Sequence, residues 1–184
     1  MIDNLPETIF LCGFMGAGKS VIGQQLADEL GRPFLDLDDK IEEKAGQSIP
    51  KIFGESGESG FRIIERKAVL EVIREFEGIV ALGGGSIQNE HLLDHIKQNG
   101  LLIFIETPIS VILDRISEDK NRPLLLNKDG DPKDRKRLKQ DLTVLYEERM
   151  PLYEQADLKA INDGSESTQQ IVEILVKKIK NHVE

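Results

Sequence analysis

Near its amino terminus the chain reads Gly13-Phe14-Met15-Gly16-Ala17-Gly18-Lys19-Ser20, a glycine-rich octapeptide of the form G-x-x-x-x-G-K-S. It follows an apolar, β-branched run, Thr8–Cys12, and precedes a segment in which Ile22, Leu26 and Leu30 recur at i, i+4 and i+8 before Gly31. That context predicts a strand, a phosphate-cradling loop and an amphipathic helix in succession. The glycines allow consecutive backbone N–H groups to turn inward around an anion. Lys19 adds a point charge toward β- and γ-phosphates, and the Ser20 hydroxyl suits Mg²⁺. The predicted ligands are therefore a purine nucleoside triphosphate and Mg²⁺, with Gly13, Met15, Gly16, Ala17, Gly18, Lys19, Ser20 and Val21 as the nucleotide-binding stretch. Cys12, under the loop, reads as a small buried thiol.

Four more short apolar runs follow at Pro33–Leu37, Ile79–Leu82, Leu101–Ile105 and Leu158–Ile161, separated by segments of helical period such as Ile64, Ala68 and Val72. Strand alternating with helix predicts a parallel sheet covered on both faces. Helices are expected at Ile109–Ile116, from about Pro132 to Arg149, and from about Thr168 to His182, the last burying Ile171, Leu175 and Ile179. Two polar stretches, Glu55–Gly60 and Asn121–Lys139, interrupt the alternation and do not read as core. The 184 residues suit one domain, 1–184, and no apolar run is long enough to span a bilayer. A net charge of −9, with Phe 7, Tyr 2 and Trp 0, argues against a broad nucleic-acid surface. Anionic ligands must then be held by local arginines. The lone Cys12 and a first strand beginning at Thr8 fit a reducing, cytoplasmic setting without a leader, and no long apolar helix face is left over, so a monomer is expected.

A nucleotide loop does not say what is phosphorylated. The nearest approach to a guanine-reading N-K-x-D, Asn127-Lys128-Asp129-Gly130, ends in glycine, and Val80-Ala81-Leu82 runs into Gly83 rather than a Walker B acid. Size then favours a small-molecule kinase. Asp36-Leu37-Asp38 ends the second run, where strand alternation points both carboxylates one way. One could hold metal and the other accept a proton from an attacking hydroxyl, although such a pair also serves as a helix N-cap. Gly83, Gly84 and Gly85 follow the third run and would let a ligand reach main-chain amides. Arg62 and Arg149, each beside apolar or aromatic residues, suit a carboxylate. His91, His95 and His182 read as surface residues.

Together these stretches resemble the shikimate kinase family. The resemblance rests on G-F-M-G-A-G-K-S (13–20), F-L-D-L-D (34–38), S-I-P-K-I-F-x-x-x-G-E-x-x-F-R-x-x-E (48–65), L-G-G-G (82–85), N-R-P-L-L (121–125) and R-M-P-L-Y-E-x-A (149–156). It implies a three-layer α/β/α P-loop kinase fold with five parallel strands in the order 2-3-1-4-5. It also implies transfer of the ATP γ-phosphoryl group to the 3-hydroxyl of shikimate. By the same resemblance Asp38 binds ring hydroxyls and is the candidate base, while Asp36 and Ser20 are near the metal. Arg62 and Arg149 clamp the shikimate carboxylate beside the amides of Gly83, Gly84 and Gly85, and Ile49, Phe53 and Phe61 line the ring pocket. Arg122 reaches the phosphates from a lid at about 117–137, Arg115 lies against adenine, and the loop near Asn162 closes over the base. Residues of about 37–65 form the acceptor region. The lid is longer and more charged than a compact family member needs. Two alternatives remain open at this point: a gluconate or nucleotide kinase of the same fold, and a nucleotide-binding protein without catalysis.

Overall fold

Residues 8–12 show how one short run of sequence lays out the whole molecule. In a computed structural model of the chain, which describes residues 4–116, 125 and 133–184, this run forms β1 (Thr8–Cys12), buried throughout. Side chains of a strand alternate between sheet faces. Phe10 and Cys12 accordingly enter one hydrophobic cluster, and Ile9 and Leu11 enter another. β2 (Phe34–Asp36), β3 (Gly78–Ala81), β4 (Leu101–Glu106) and β5 (Leu158–Ile161) complete a five-stranded sheet in the order β2-β3-β1-β4-β5. Every pairing is parallel, with Thr8 opposite Gly78, Ile9 opposite Leu101, Phe34 opposite Ile79 and Ile103 opposite Leu158.

One face is covered by α1 (Lys19–Leu30) and α7 (Thr168–Val183), through Ile22, Leu26, Ile171, Leu175 and Ile179. The other is covered by α2 (Leu37–Ala45), α3 (Ile49–Glu75), α4 (Glu90–Gln98), α5 (Ile109–Ile116) and α6 (Arg135–Tyr153). The sheet is thus sandwiched, as its nearly unbroken apolar strands require. α7 opens on a capping box made by Ser167 and Gln170, which satisfies its first amides and fixes its entry angle.

Three local expectations are corrected. The second strand ends at Asp36, which becomes the N-cap of α2 by accepting a hydrogen bond from the Asp38 N–H at 2.9 Å. Asp38 therefore sits in a first helical turn, and helix geometry rather than strand alternation sets its direction. The polar stretch at 55–60 stays out of the core, as expected, although α3 passes through it with one break, at Gly57 (φ 65°, ψ −176°). The later stretch is partly core, since Leu125 and Leu138 are buried and the Lys133 N–H donates to the Leu125 carbonyl at 2.9 Å. α6 also runs past Arg149 and Pro151 to Tyr153. The expected lid lies mostly outside the described residues, and Arg122 with it.

Candidate active site

The loops after β1, β2 and β3 leave the same, carboxyl edge of the parallel sheet, where ligands of open α/β folds bind. The first is the glycine-rich loop. Gly18 takes a left-handed conformation (φ 90°) at the start of α1, which has no capping side chain, so the first-turn amides face the loop interior as an anion site. Lys19 lies across the loop, with Nζ donating to the carbonyls of Gly13 and Phe14, both at 3.0 Å. The rear of the loop is braced. Arg115 donates to the Gly16 carbonyl at 3.1 Å and to Asn162 Oδ1 at 2.9 Å, while Asn162 Nδ2 donates to the Ala17 carbonyl at 2.8 Å. Arg115 and Asn162, distant in sequence, thus meet at one side of the loop. Val21, in the first turn of α1, is exposed.

Ser20 Oγ donates to Asp36 Oδ2 at 2.5 Å, so the two expected metal residues do converge. They offer hard oxygen donors, one neutral and one anionic. Among the described residues no group of three or more His, Cys, Asp or Glu side chains could cage a metal. Such a sparse oxygen set fits Mg²⁺, which keeps several waters and takes its other ligands from phosphate. The three histidines are exposed.

Around the third loop the glycines permit contacts that a side chain would forbid. A Cβ on Gly84 would stand 3.1 Å from the Met15 amide nitrogen, so the β3 loop packs directly on the phosphate loop. A Cβ on Gly83 would meet Glu65 Oε1, Ser86 Oγ and Asp38 Oδ1 at 2.8, 2.9 and 3.0 Å. One on Gly85 would lie 2.5 to 2.8 Å from the Arg62 guanidinium. Asp38, Arg62 and the glycine triplet are thus brought to one place. On α3, Phe61 lies under the Arg62 guanidinium and its ring packs on Phe53 at 4.6 Å, while Ile49 and Phe53 are partly buried against the hydrophobic cluster that contains Phe61.

The two arginines are held differently. Arg62 donates to Glu65 at 2.7 Å and to Glu58 at 3.3 Å, and its guanidinium lies over Phe61. Burial alone would lower the Arg62 pKa, but the two carboxylates outweigh it and hold the group above the ordinary arginine value. Arg149 is only 5% exposed and its partners are neutral. Nη1 donates to the Gly84 carbonyl at 2.9 Å, and the group lies 5.4 Å from the centre of the Phe14 ring. In the amide orientation that satisfies both residues, Gln88 accepts from Nε at 2.7 Å and from Nη2 at 3.1 Å. A buried guanidinium facing carbonyls and a ring retains the capacity to bind an anion.

Sequence reasoning gave no role to Glu65, Ser86, Gln88 or Tyr153. Glu65 is buried and accepts from Ser86 Oγ at 2.7 Å as well as from Arg62, and Tyr153 donates to the Gly84 carbonyl at 2.6 Å. Glu65 was detectable, because a glutamate three residues after an arginine on a helix is positioned to pair with it. Cys12 is as inert as expected: burial pushes its thiol up to about 12, against a downward pull from Lys19.

A family model described as shikimate kinase matches residues 15–180. The shikimate kinase of Chlorobaculum parvum is 37% identical over 175 residues, covering 95% of this chain and 93% of its own. The structure of the Acinetobacter baumannii shikimate kinase in complex with shikimate superposes with a TM-score of 0.86 at 35% identity, covering 98% of this chain and 96% of that one. A gluconokinase from Sinorhizobium meliloti shares the fold alone, with a TM-score of 0.54 and 15% identity. Sequence, topology and site geometry converge, and the chain belongs to the shikimate kinase family.

Proposed function

We propose that this chain transfers the γ-phosphoryl group of ATP to the 3-hydroxyl of shikimate, giving shikimate 3-phosphate and ADP, with its residues in the following roles. The Arg62 and Arg149 guanidinium groups grip the shikimate carboxylate, with the Gly83, Gly84 and Gly85 backbone alongside and Ile49, Phe53 and Phe61 against the ring. Asp38 orients the attacking hydroxyl and accepts its proton. Backbone amides from Gly13 to Val21 and the Lys19 ammonium hold the phosphates and neutralise charge as it moves to the leaving oxygen. Ser20 and Asp36 would hold Mg²⁺, which screens the phosphate charge when bound. Arg115 and Asn162 flank the adenine side, residues of about 37–65 form the acceptor region, and Arg122 on a lid at about 117–137 closes over the phosphates. Phosphoryl transfer asks for positioning and charge stabilisation more than for covalent chemistry from the protein, and these groups supply both.

The observation that carries the reading is Arg149, a buried cation whose neighbours are the Gly84 carbonyl, Gln88 and Phe14, close to the carboxylate-paired Arg62. A carboxylate on the acceptor gives that buried charge a matching anion. A coupled assay with Mg²⁺ and ATP tests it: turnover with shikimate and not with gluconate supports the assignment, and the reverse preference refutes it. The reading extends to a cytoplasmic monomer that engages neither nucleic acid nor membrane, and a solution mass near 20.7 kDa is its check.

A further inference from the structure

The peptide joining Gly84 to Gly85 has no side chain on either flank to hold its plane. Its carbonyl nonetheless receives two donors from α6, the Arg149 Nη1 at 2.9 Å and the Tyr153 hydroxyl at 2.6 Å. Tyr153 is itself fixed: it is 1% exposed and its ring stacks on Phe104 with centroids 5.1 Å apart and planes 16° from parallel. Burial holds its hydroxyl above the ordinary phenol pKa, so it stays a donor at every working pH. In a trans peptide the N–H is opposite the carbonyl. With the Gly84 oxygen drawn to α6, the Gly85 N–H is directed away from it, and Gly85 lies against the Arg62 guanidinium.

We propose that Tyr153 is a positioning residue: its hydroxyl, together with Arg149, locks the Gly84–Gly85 peptide so that an N–H rather than a carbonyl oxygen is presented to the acceptor. A flip would place a partial negative charge where a carboxylate or hydroxyl oxygen of the acceptor must lie. Between two glycines sterics offer little resistance to a flip, so the two hydrogen bonds are what oppose it. Arg149 alone is a poor lock, because it must also serve the ligand. The buried tyrosine touches Arg149 as well as the Gly84 carbonyl, but it has no bond to give the ligand, so its hydroxyl stays on the loop when the acceptor binds. This inference rests on the assignment of shikimate as acceptor.

The test is Tyr153→Phe, which removes one oxygen and keeps the ring on Phe104. The expected result is a rise in shikimate KM of about two- to tenfold, the scale of one neutral hydrogen bond, with ATP KM unchanged. The Gly85 amide in ¹⁵N-labelled protein should also exchange faster in the variant, without acceptor present. If wild-type enzyme turns over shikimate and the variant keeps its shikimate KM, or loses affinity for ATP and shikimate equally, the lock is refuted. If wild-type enzyme does not turn over shikimate, the acceptor assignment fails, and the Gly85 exchange rate alone decides whether Tyr153 holds the peptide. An unchanged rate would overturn the inference.

Discussion

Replacing Gly85 by alanine should damage acceptor binding through one contact that can be worked out in advance. Gly85 has φ −119° and ψ 2°, a conformation open to alanine, so the backbone carries no strain. The added Cβ would stand 2.5, 2.7 and 2.8 Å from Nη2, Nη1 and Cζ of Arg62, whereas ordinary contact begins near 3.4 Å. The guanidinium must therefore retreat by about 0.9 Å, which the flexible arginine chain permits and which spares the fold. A displacement of that size takes the 2.7 Å bond to Glu65 and any carboxylate bond of the same length outside hydrogen-bonding range. Losing one charge-assisted bond costs about 1.5 to 3 kcal/mol, or roughly 10- to 150-fold in shikimate KM. Steady-state kinetics with each substrate varied in turn will measure it, with ATP KM and melting temperature as controls. A variant whose shikimate KM stays within twofold of wild type would show that Arg62 does not hold the acceptor from this position.

Lys19→Met removes the charge across the phosphate loop and should lower kcat by about 10²-fold or more in the coupled assay; near-normal turnover would mean that the loop does not act on the phosphates. Asp38→Asn keeps the shape of the side chain but not its basicity, so kcat should fall by about 10²-fold while ADP binding, measured by calorimetry, persists. An equal loss of ADP affinity would put Asp38 in the nucleotide site instead. Cys12 should resist alkylation at pH 8 in folded protein and react at once in denaturant. Its linkage to stability follows from the raised folded-state value. Below its ordinary value of 9.0 the thiol is neutral folded or unfolded, and from there to about 12 only the unfolded thiol ionises, so stability falls as pH rises. Denaturant titrations of wild type and Cys12→Ala should run parallel up to about pH 9 and diverge above it, with a slope approaching about 1.4 kcal/mol per pH unit.

Much of the fold could be read from local pattern because its signals are local. The run Thr8–Cys12, the spacing of Ile22 and Leu26, the stop at Gly31 and the run Leu158–Ile161 each lie within one element, and each element formed where its own residues indicated. Asp38 was misplaced because an N-cap and a strand end look alike in sequence, and the Asp36 side chain decides between them by capturing the Asp38 N–H. α3 continued through its glycines because both sides of Gly57 bury residues, Ile52 before it and Phe61 after it. The support around the acceptor loop was out of reach for a different reason. Arg149 and Tyr153 meet the Gly84 carbonyl across 65 and 69 residues, and nothing in the chain near Gly84 announces its partners. Motif resemblance gave Arg149 a role but none to Tyr153, which stands in the same matched stretch and whose buried ring reads equally well as core.

The close approach of Gly84 to the Met15 amide has a thermodynamic consequence. Donor and acceptor loops share a wall of bare main chain, with no side chain between them to absorb a shift. Whatever ordering one ligand imposes on that wall is already in place for the second. The two binding equilibria then form a linked pair, and linkage is reciprocal: the factor by which nucleotide tightens acceptor binding is the factor by which acceptor tightens nucleotide binding.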